Sequence, residues 1–285
     1  MSTRLPFENL RKTGGYAATG FLLSSFFFLL SQTHPLFQTH GFARILILMI
    51  TMTPTRLILF DIDGTLISPG RMPRVWLSEA INELSGEEEQ HLTLDDVAGK
   101  TDTLIIETAL LKLGVSRWNI RKMIFPIINR YLEKLSANYA SDSTPKFVFP
   151  GVKEILERLN WREDILLGLV TGNTPDSARI KLSHFGLWEY FKLGAFATDS
   201  KHRNDLPKIA LRLANQMNHT KFEAEHAVMI GDTLNDLEAA RVNKMRSLIV
   251  GHHPYWRKDL RAGKPDLYVD DFSAPEHVLK WLIES

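Results

Sequence analysis

The sequence has no cysteine among its 285 residues. This absence excludes disulfide bonds, thiolate metal sites and a cysteine nucleophile. It does not identify a compartment, because a cysteine-free protein is compatible with any redox environment. An excess of charge is also missing, since 34 Lys and Arg residues oppose 33 Asp and Glu residues and the net charge is +1. Neither nucleic acid nor an anionic membrane surface is therefore indicated as a partner.

Two apolar stretches in residues 1–51, GFLLSSFFFLL and ARILILMI, are shorter than the roughly 20 apolar residues that span a bilayer. Arg4, Arg11 and Lys12 precede the first stretch, as in a signal peptide, but no small-x-small cleavage site follows it. A weak membrane anchor, a signal peptide and a wrongly chosen start codon are the three hypotheses. Met52 opens MTPTRLILFDIDGTL, so we favour a dispensable extension and place the anchor second. We expect a cytoplasmic protein, with membrane contact only if the extension is real.

After this extension, short apolar runs alternate with helical patterns. The apolar runs are 56–60, 165–170, 227–230 and 247–250, with a shorter one at 192–197. The helical patterns are 151–160, 175–186, 206–217 and 234–243. This alternation predicts an α/β fold, a Rossmann-like doubly wound parallel sheet with helices on both faces. Because crossovers are right-handed, every strand ends at one edge of the sheet, where ligands bind.

Residues 73–149 interrupt the alternation with helical patterns and no clear strand. The patterns are RVWLSEAINELSG, DTLIIETALLKLG and IRKMIFPIINRYLEKLSANY. They predict an all-helical cap inserted after the first strand, and Pro150-Gly151 marks the return to the sheet. The predicted organisation is therefore a core domain made of residues 52–72 and 150–285, interrupted by the cap at 73–149.

Acidic residues follow the first predicted strand in RLILFDIDGTLI. Asp61 and Asp63 come directly after the apolar run, and Gly64 permits a tight turn there. A solvated loop with capping acids is the simplest interpretation of this stretch alone. A calcium loop is excluded, because its sixth and twelfth positions would be Leu66 and Met72 instead of Gly and Glu.

Two further predicted strands end in polar clusters. One runs into Thr171, Gly172 and Asn173, and another runs into GDTLND, which contains Asp232 and Asp236. Each cluster alone could be a turn or a helix cap. Three clusters at strand ends of one parallel sheet instead favour a shared site.

With DIDGT as a first motif, Thr171 as a second and GDTLND as a fourth, the chain resembles hydrolases of the haloacid dehalogenase superfamily. It resembles the phosphatase branch with a helical cap after the first motif. Three stretches are similar to a phosphoglycolate-phosphatase-like subgroup: AGKTDTLIIETAL, LGLVTGNTPDSARIKLSHFGL and FATDSKHRNDLPKIAL. The resemblance covers about residues 55–272 and is specific for fold and reaction class, but weak for substrate.

The resemblance implies a phosphatase that hydrolyses a small phosphomonoester with Mg²⁺ through an aspartyl-phosphate. Asp61 is the implied nucleophile, and Asp63 is the implied acid and base. The implied metal ligands are Asp61, Asp232 and the backbone carbonyl of Asp63, with Asp236 supporting the metal or a neighbouring cation. Hard oxygen ligands of this kind suit Mg²⁺.

The phosphoryl group would be held by Thr171 and the amides of Gly172 and Asn173. The family's third motif adds a cation beside the phosphoryl group, and RNDLPKIAL offers Arg203 and Lys208 for that role. We prefer Arg203, because it stands where the subgroup carries its cation. Lys208 follows a proline suited to a first helical turn, so a solvent-facing side chain is expected there.

In the cap, Lys100, Thr101 and Asp102 match a subgroup segment that reaches the substrate, although Thr101 or Asp102 would also make a good helix N-cap. The preferred function is phosphatase action on a small phosphorylated metabolite, with phosphoglycolate the first to test. A phosphosugar mutase and a membrane-tethered regulatory module without catalysis are the alternatives. The sequence identifies neither the substrate nor the oligomeric state.

Overall fold

The computed structural model of the chain describes residues 54–86, 91–218 and 221–284. In chain order the strands are β1 (Arg56–Phe60), β2 (Ile67–Ser68), β3 (Phe147–Val148), β4 (Ile165–Val170), β5 (Leu193–Ala195), β6 (Ala227–Gly231), β7 (Arg246–Val250) and β8 (Leu267–Val269). Six of them form one sheet in the order β5-β4-β1-β6-β7-β8, and every pairing in it is parallel. The predicted α/β fold is confirmed.

The α-helices of the described residues are α1 (Met72–Ser85), α2 (Leu94–Val97), α3 (Asp102–Lys112), α4 (Arg117–Asn138), α5 (Val152–Asn160), α6 (Pro175–His184), α7 (Leu206–Asn218), α8 (Leu234–Val242), α9 (Arg257–Ala262) and α10 (Pro275–Glu284). The strand order runs outward from β1 in both directions. With right-handed crossovers, this order places helices on both faces and opens a crevice at the carboxyl end of β1.

Strand β1 is central because its residues after Arg56 are apolar and buried on both faces. It pairs with β4 on one side and β6 on the other. Leu57 and Leu59 share one face, as alternate residues of a strand do, and belong to a buried cluster with Leu206 and Ala210 of α7. Each buried leucine stabilises the fold by about 1.5–3 kcal/mol, so the strand is firmly fixed beneath the site.

Helices α1 to α4 form an insertion with a core of their own. Its buried centre includes Trp76, Ile106, Ile127 and Tyr131, contributed by α1, α3 and α4. Two short strands flank the insertion, because β2 before α1 pairs antiparallel with β3 after α4. The strand β3 lies within the stretch expected to be all-helical, and two residues are too few to give an alternating pattern. The proposed division into core and cap domains stays a prediction.

The predicted sheet strands at 56–60, 165–170, 192–197, 227–230 and 247–250 are all present, and the four predicted core helices end within about two residues of those observed. Strand β8 was not predicted, because its three residues are only partly buried and form no long apolar run. Residues 1–51 lie outside the described residues. Within the described part, no helix combines the length and apolar character that crossing a bilayer requires.

Candidate active site

Strand β1 delivers Asp61 to the carboxyl edge of the sheet. The Asp61 N–H donates to the carbonyl of Ile230 at 2.9 Å, so the ladder to β6 continues one residue past the strand. The Asp61 side chain is only 5% exposed. Burial raises the pKa of Asp61 to about 6, against the opposing charge of Arg203 and with help from the charge of Asp236. A carboxylate held this way needs a nearby cation to stay ionised.

The turn after Asp61 requires glycine at position 64. Gly64 has φ of +88°, a region that other residues rarely adopt. A Cβ at this position would lie 2.1 Å from Oδ2 of Asp232. Thr65, next in the turn, donates from Oγ1 to Oδ1 of Asp232 at 3.3 Å. Gly64 and Thr65 together therefore bring the Asp232 carboxylate against the turn that carries Asp61 and Asp63.

Asp236 lies in the first turn of α8 and is fully buried. Its Oδ2 accepts from the Thr233 N–H at 3.0 Å and from Thr233 Oγ1 at 2.6 Å. The Asp236 N–H donates back to Thr233 Oγ1 at 3.3 Å, which completes a capping box. Gly231 ends β6 just below, where a Cβ would lie 2.3 Å from Cγ of Asp236. The helix cap thus fixes one oxygen of Asp236 and leaves Oδ1 for a different partner.

That partner is Arg203, which opens a short 3₁₀ turn before α7 and is 7% exposed. Its Nε donates to Oδ1 of Asp236 at 2.8 Å, and its Nη2 lies 3.0 Å from Oδ1 of Asp61. Burial alone would lower the pKa of Arg203, but the charges of Asp236 and Asp61 outweigh it and raise that pKa. Lys208 is exposed on α7. The geometry therefore joins Arg203 to Asp61 and leaves Lys208 facing solvent.

Carboxylate oxygens of Asp61, Asp232 and Asp236 lie within 4.8 Å of one another. Burial, followed by the charges of Asp236 and Asp61, raises the pKa of Asp232 well above its usual value. One guanidinium cannot balance three carboxylates, so a hard divalent cation fits the remaining charge. Both oxygens of Asp236 already accept hydrogen bonds. Asp61 and Asp232 are therefore the better side-chain ligands, and Asp236 is suited to holding Arg203.

The loop after β4 carries Thr171, Gly172 and Asn173. Thr171 is fully buried, and its Oγ1 accepts from the Asn173 N–H at 3.3 Å and from Asn173 Nδ2 at 2.9 Å. Gly172 touches the insertion, because a Cβ there would lie 2.0 Å from the carbonyl oxygen of Lys100. This loop therefore lies between the predicted nucleophile and the insertion. Its contact with a phosphoryl group stays a prediction.

Asp63 has a partner that the sequence analysis missed. Lys181, on α6, lies with Nζ 2.5 Å from Oδ2 of Asp63 and is 3% exposed. Burial would lower the pKa of Lys181, but the negative charges of Asp63 and Asp102 and the hydrogen bond to Asp63 outweigh it and raise that pKa. The side chain is therefore an ammonium group at neutral pH.

A signal for Lys181 was present in the sequence. It stands one helical turn after Ser177 and next to Leu182 in a segment that was predicted to be helical, and both neighbours are buried. A lysine on the buried face of a helix is rare unless it is paired. The missing information was the identity of its partner, which lies 118 positions away along the chain.

Two predicted substrate residues of the insertion make contacts within the protein. Lys100 donates from Nζ to the carbonyls of Asp95 at 2.8 Å and Asp96 at 3.1 Å. Thr101 caps α3 and donates from Oγ1 to the carbonyl of Lys201 at 2.7 Å. The predicted N-cap is thus observed, while a role for either residue in binding substrate stays a prediction.

Asp102 joins the insertion to the loop after β4. Its N–H donates to the carbonyl of Gly172 at 2.7 Å, and its Oδ2 accepts from the N–H of Thr174 at 3.0 Å. Burial raises the pKa of Asp102 to about 6, against the charge of Lys181. Asp102 therefore adds a second carboxylate beside Lys181 and docks the insertion onto the site loops.

Residues 58–250 match the family model described as haloacid dehalogenase-like hydrolase. The chain belongs to this family. It is 27% identical over 228 residues to a probable phosphatase IndB of Dickeya dadantii, covering 76% of this chain and 90% of the relative. It is 24% identical over 232 residues to a phosphoglycolate phosphatase of Salmonella typhi, covering 75% and 88%.

A β-phosphoglucomutase structure from Clostridium difficile shares the fold of this haloacid dehalogenase-like hydrolase. The TM-score is 0.59 at 18% identity, over 81% of this chain and 98% of the other. The family resemblance predicted from DIDGT, Thr171 and GDTLND is confirmed. The chain is an enzyme, a hydrolase of the phosphatase type.

Proposed function

We propose that this phosphatase uses Mg²⁺ to hydrolyse a small phosphorylated metabolite through an aspartyl-phosphate on Asp61. The observation that carries the proposal is the environment of the Asp61 carboxylate. It lies 3.0 Å from the Arg203 guanidinium and within 4.8 Å of the Asp232 carboxylate, at the ligand-binding edge of the sheet. A buried nucleophile beside a cation and a metal-type ligand set is suited to phosphoryl transfer.

In the first step, a carboxylate oxygen of Asp61 attacks phosphorus and the bond to the leaving oxygen breaks. Asp63 gives its proton to that oxygen. Arg203 stabilises the charge on the transferring group from its place between Asp61 and Asp236. Asp61, Asp232 and the Asp63 carbonyl would hold Mg²⁺, which would neutralise phosphoryl charge and so allow two anions to approach each other.

In the second step, Asp63 takes a proton from water while the water oxygen attacks the phosphorus of the aspartyl-phosphate. The Asp61 carboxylate leaves and inorganic phosphate is released. We keep Thr171, Gly172 and Asn173 as the group that holds phosphoryl oxygens, because their loop lies between Asp61 and the insertion.

Phosphoglycolate is the first substrate to test, since one relative is a phosphoglycolate phosphatase. A phosphosugar mutase remains the alternative enzyme, because a mutase shares the fold, and it would return the phosphoryl group to the sugar. A membrane-tethered module without catalysis is disfavoured by the intact set of Asp61, Asp63, Thr171 and Asp232. The anchor that this module would use lies outside the described residues.

The test is release of inorganic phosphate from a panel of phosphomonoesters that includes phosphoglycolate, sugar phosphates and p-nitrophenyl phosphate. We expect turnover with Mg²⁺ and none with excess EDTA. Phosphate release that EDTA leaves unchanged would contradict the metal requirement. Conversion of a sugar phosphate to its isomer, without phosphate release, would identify a mutase instead.

A further inference from the structure

Only one of the two oxygens of the Asp63 carboxylate accepts hydrogen bonds from the described residues. Its Oδ2 accepts from Lys181 Nζ at 2.5 Å and from Asn173 Nδ2 at 3.1 Å. Its Oδ1 is buried and makes no hydrogen bond with any residue that the structure describes. The carboxylate is therefore fixed in orientation, and one oxygen stays available for a proton.

Lys181 is itself fixed by a second contact and a buried network. Its Nζ donates to Oδ1 of Asn173 at 2.6 Å, and the same oxygen accepts from Ser177 Oγ at 2.9 Å. The Ser177 hydroxyl lies 3.4 Å from the hydroxyl of Tyr131, on helix α4 of the insertion. Through Tyr131, the insertion therefore contacts the side chains that bind Asp63.

Binding of a substrate anion is a weaker role for Lys181. The ammonium group contacts Asp63 directly and also experiences the charge of Asp102. Two carboxylates already exceed its single positive charge, so little attraction remains for a further anion. A substrate carboxylate or second phosphate would also have to displace Asp63 from the Lys181 ammonium.

We propose that Lys181 is a positioning residue: with Asn173 it orients the Asp63 carboxyl group so that Oδ1 transfers the proton to the leaving oxygen. As the Asp61–phosphorus bond forms, the bond from phosphorus to the leaving oxygen breaks, and that oxygen takes the proton from Asp63 Oδ1. The carboxylate left behind keeps both donors on Oδ2. The inference rests on the proposed function, because it assigns Lys181 to acid catalysis of phosphoryl transfer.

The role predicts an effect that depends on the leaving group. General acid catalysis contributes roughly 10²–10⁴-fold, and a displacement of about 1 Å can cost 10²-fold. An alkyl ester such as phosphoglycolate needs the proton, because an alkoxide is a poor leaving group. p-Nitrophenyl phosphate does not need it, because p-nitrophenolate is a stable anion. The parameter to compare is kcat/KM, since it reports on the steps up to and including departure of the leaving group.

The experiment measures kcat/KM of Lys181→Met over alkyl, phenyl and p-nitrophenyl phosphates with Mg²⁺. We expect about a 10²-fold loss on alkyl esters and little change on p-nitrophenyl phosphate. Asp63→Asn should show the same trend. Adding Lys181→Met to Asp63→Asn should then lower kcat/KM no further, because a residue that acts only through Asp63 has nothing left to position.

Two further variants keep the test decisive. Ser177→Ala removes one hydrogen bond from the network and should give the same trend more weakly, even if Lys181→Met fails to fold. Lys146→Met removes another buried lysine, which pairs with Asp142 at 3.5 Å, and should leave the dependence on leaving group unchanged.

An equal loss on every ester, or a rise in KM alone, would overturn the positioning role while the proposed function stands. A double variant much slower than Asp63→Asn would also overturn it. A parent enzyme that releases no phosphate from any ester would overturn the proposed function and this inference together.

Discussion

Two charged clusters lie side by side at the carboxyl edge of the sheet. The nucleophile cluster is Asp61, Asp232, Asp236 and Arg203, and the acid cluster is Asp63, Asp102, Asn173 and Lys181. The nucleophile cluster has three carboxylates and one cation, all from residues outside the insertion. The acid cluster has two carboxylates and one cation, and one of its carboxylates comes from the insertion. The nucleophile cluster therefore has the larger excess of negative charge and the stronger need for a metal.

The two cations also differ in geometry. Arg203 contacts two carboxylates, Asp61 and Asp236, with nitrogens of one planar fork. Lys181 contacts a carboxylate and an amide oxygen through a single nitrogen. A fork fixes two groups relative to each other, whereas an ammonium group holds one point. The difference suits Arg203 to bringing nucleophile and phosphoryl charge together, and Lys181 to orienting one carboxyl group.

The largest effect is expected from removing the nucleophile. Asp61→Asn should reduce turnover about 10⁴-fold or more, because loss of a nucleophile removes the covalent route. The fold should survive, since an amide of the same shape replaces a carboxylate that burial disfavours. Turnover and circular dichroism test the two parts. A folded variant within tenfold of the parent would exclude Asp61 as the nucleophile.

The next largest effect separates the two candidate cations. Arg203→Ala should lower turnover roughly 10²–10³-fold, because a preorganised donor to the transferring group is lost. Lys208→Ala is the matched control. Its turnover should match that of the parent, and its free energy of unfolding should change by less than about 0.5 kcal/mol, as is usual for exposed substitutions. Arg203→Lys should recover part of the rate, because it keeps the charge but not the fork. An inactive Lys208→Ala beside an active Arg203→Ala would reverse the assignment.

The nucleophile cluster was largely predictable from sequence, and the acid cluster was not. Asp61 and Asp232 follow apolar runs that a parallel sheet brings to one edge, so their proximity follows from topology. Arg203 could be chosen over Lys208 by the resemblance and by the proline before Lys208, which suits a first helical turn. Lys181 lies in a stretch that was predicted to be helical, but that stretch does not identify its partner, which depends on how α6 packs against the turn after β1. Packing between distant elements is not encoded in any local pattern.

Gly64, in the turn shared by both clusters, and Gly114, after helix α3, give a matched pair of glycine variants. Gly64→Ala should destabilise the protein and weaken activation by Mg²⁺, because its Cβ would lie 2.1 Å from Asp232 Oδ2. Gly114 also has positive φ, +75°, but a Cβ there meets no atom within 4 Å. Gly114→Ala should therefore cost only the roughly 1–2 kcal/mol of a left-handed residue. Thermal unfolding measures the loss of stability, and titration of activity with Mg²⁺ measures the weakened activation. Equal Tm and equal Mg²⁺ dependence for the two variants would contradict the crowding at Asp232.

The smallest expected effect is a gain of stability in the metal-free protein. Asp61 has a folded-state pKa raised from 3.8 to about 6, and the pKa of Asp232 is raised as well. Between pH 3.8 and about pH 6, the folded state therefore keeps a proton on Asp61 that the unfolded state has released. The contribution of these groups to stability therefore falls as pH rises through that window and is lowest above it. Replacing Asp232 by a neutral residue should relieve part of the repulsion.

Asp232→Asn should accordingly raise Tm in EDTA at pH 7.5 by a few degrees, since about 1 kcal/mol shifts Tm by 2–4 °C in a chain of this size. The gain should shrink at pH 5, where the parent's own carboxyls bind protons. Added Mg²⁺ should raise Tm of the parent but not of the variant, because ligand stabilises only a state that binds it. Glu238→Gln, at an exposed position in the middle of α8, is the control and should shift neither curve. A variant less stable than the parent in EDTA at pH 7.5 would show that Arg203 already balances the carboxylates, and that the nucleophile cluster is stable without a metal.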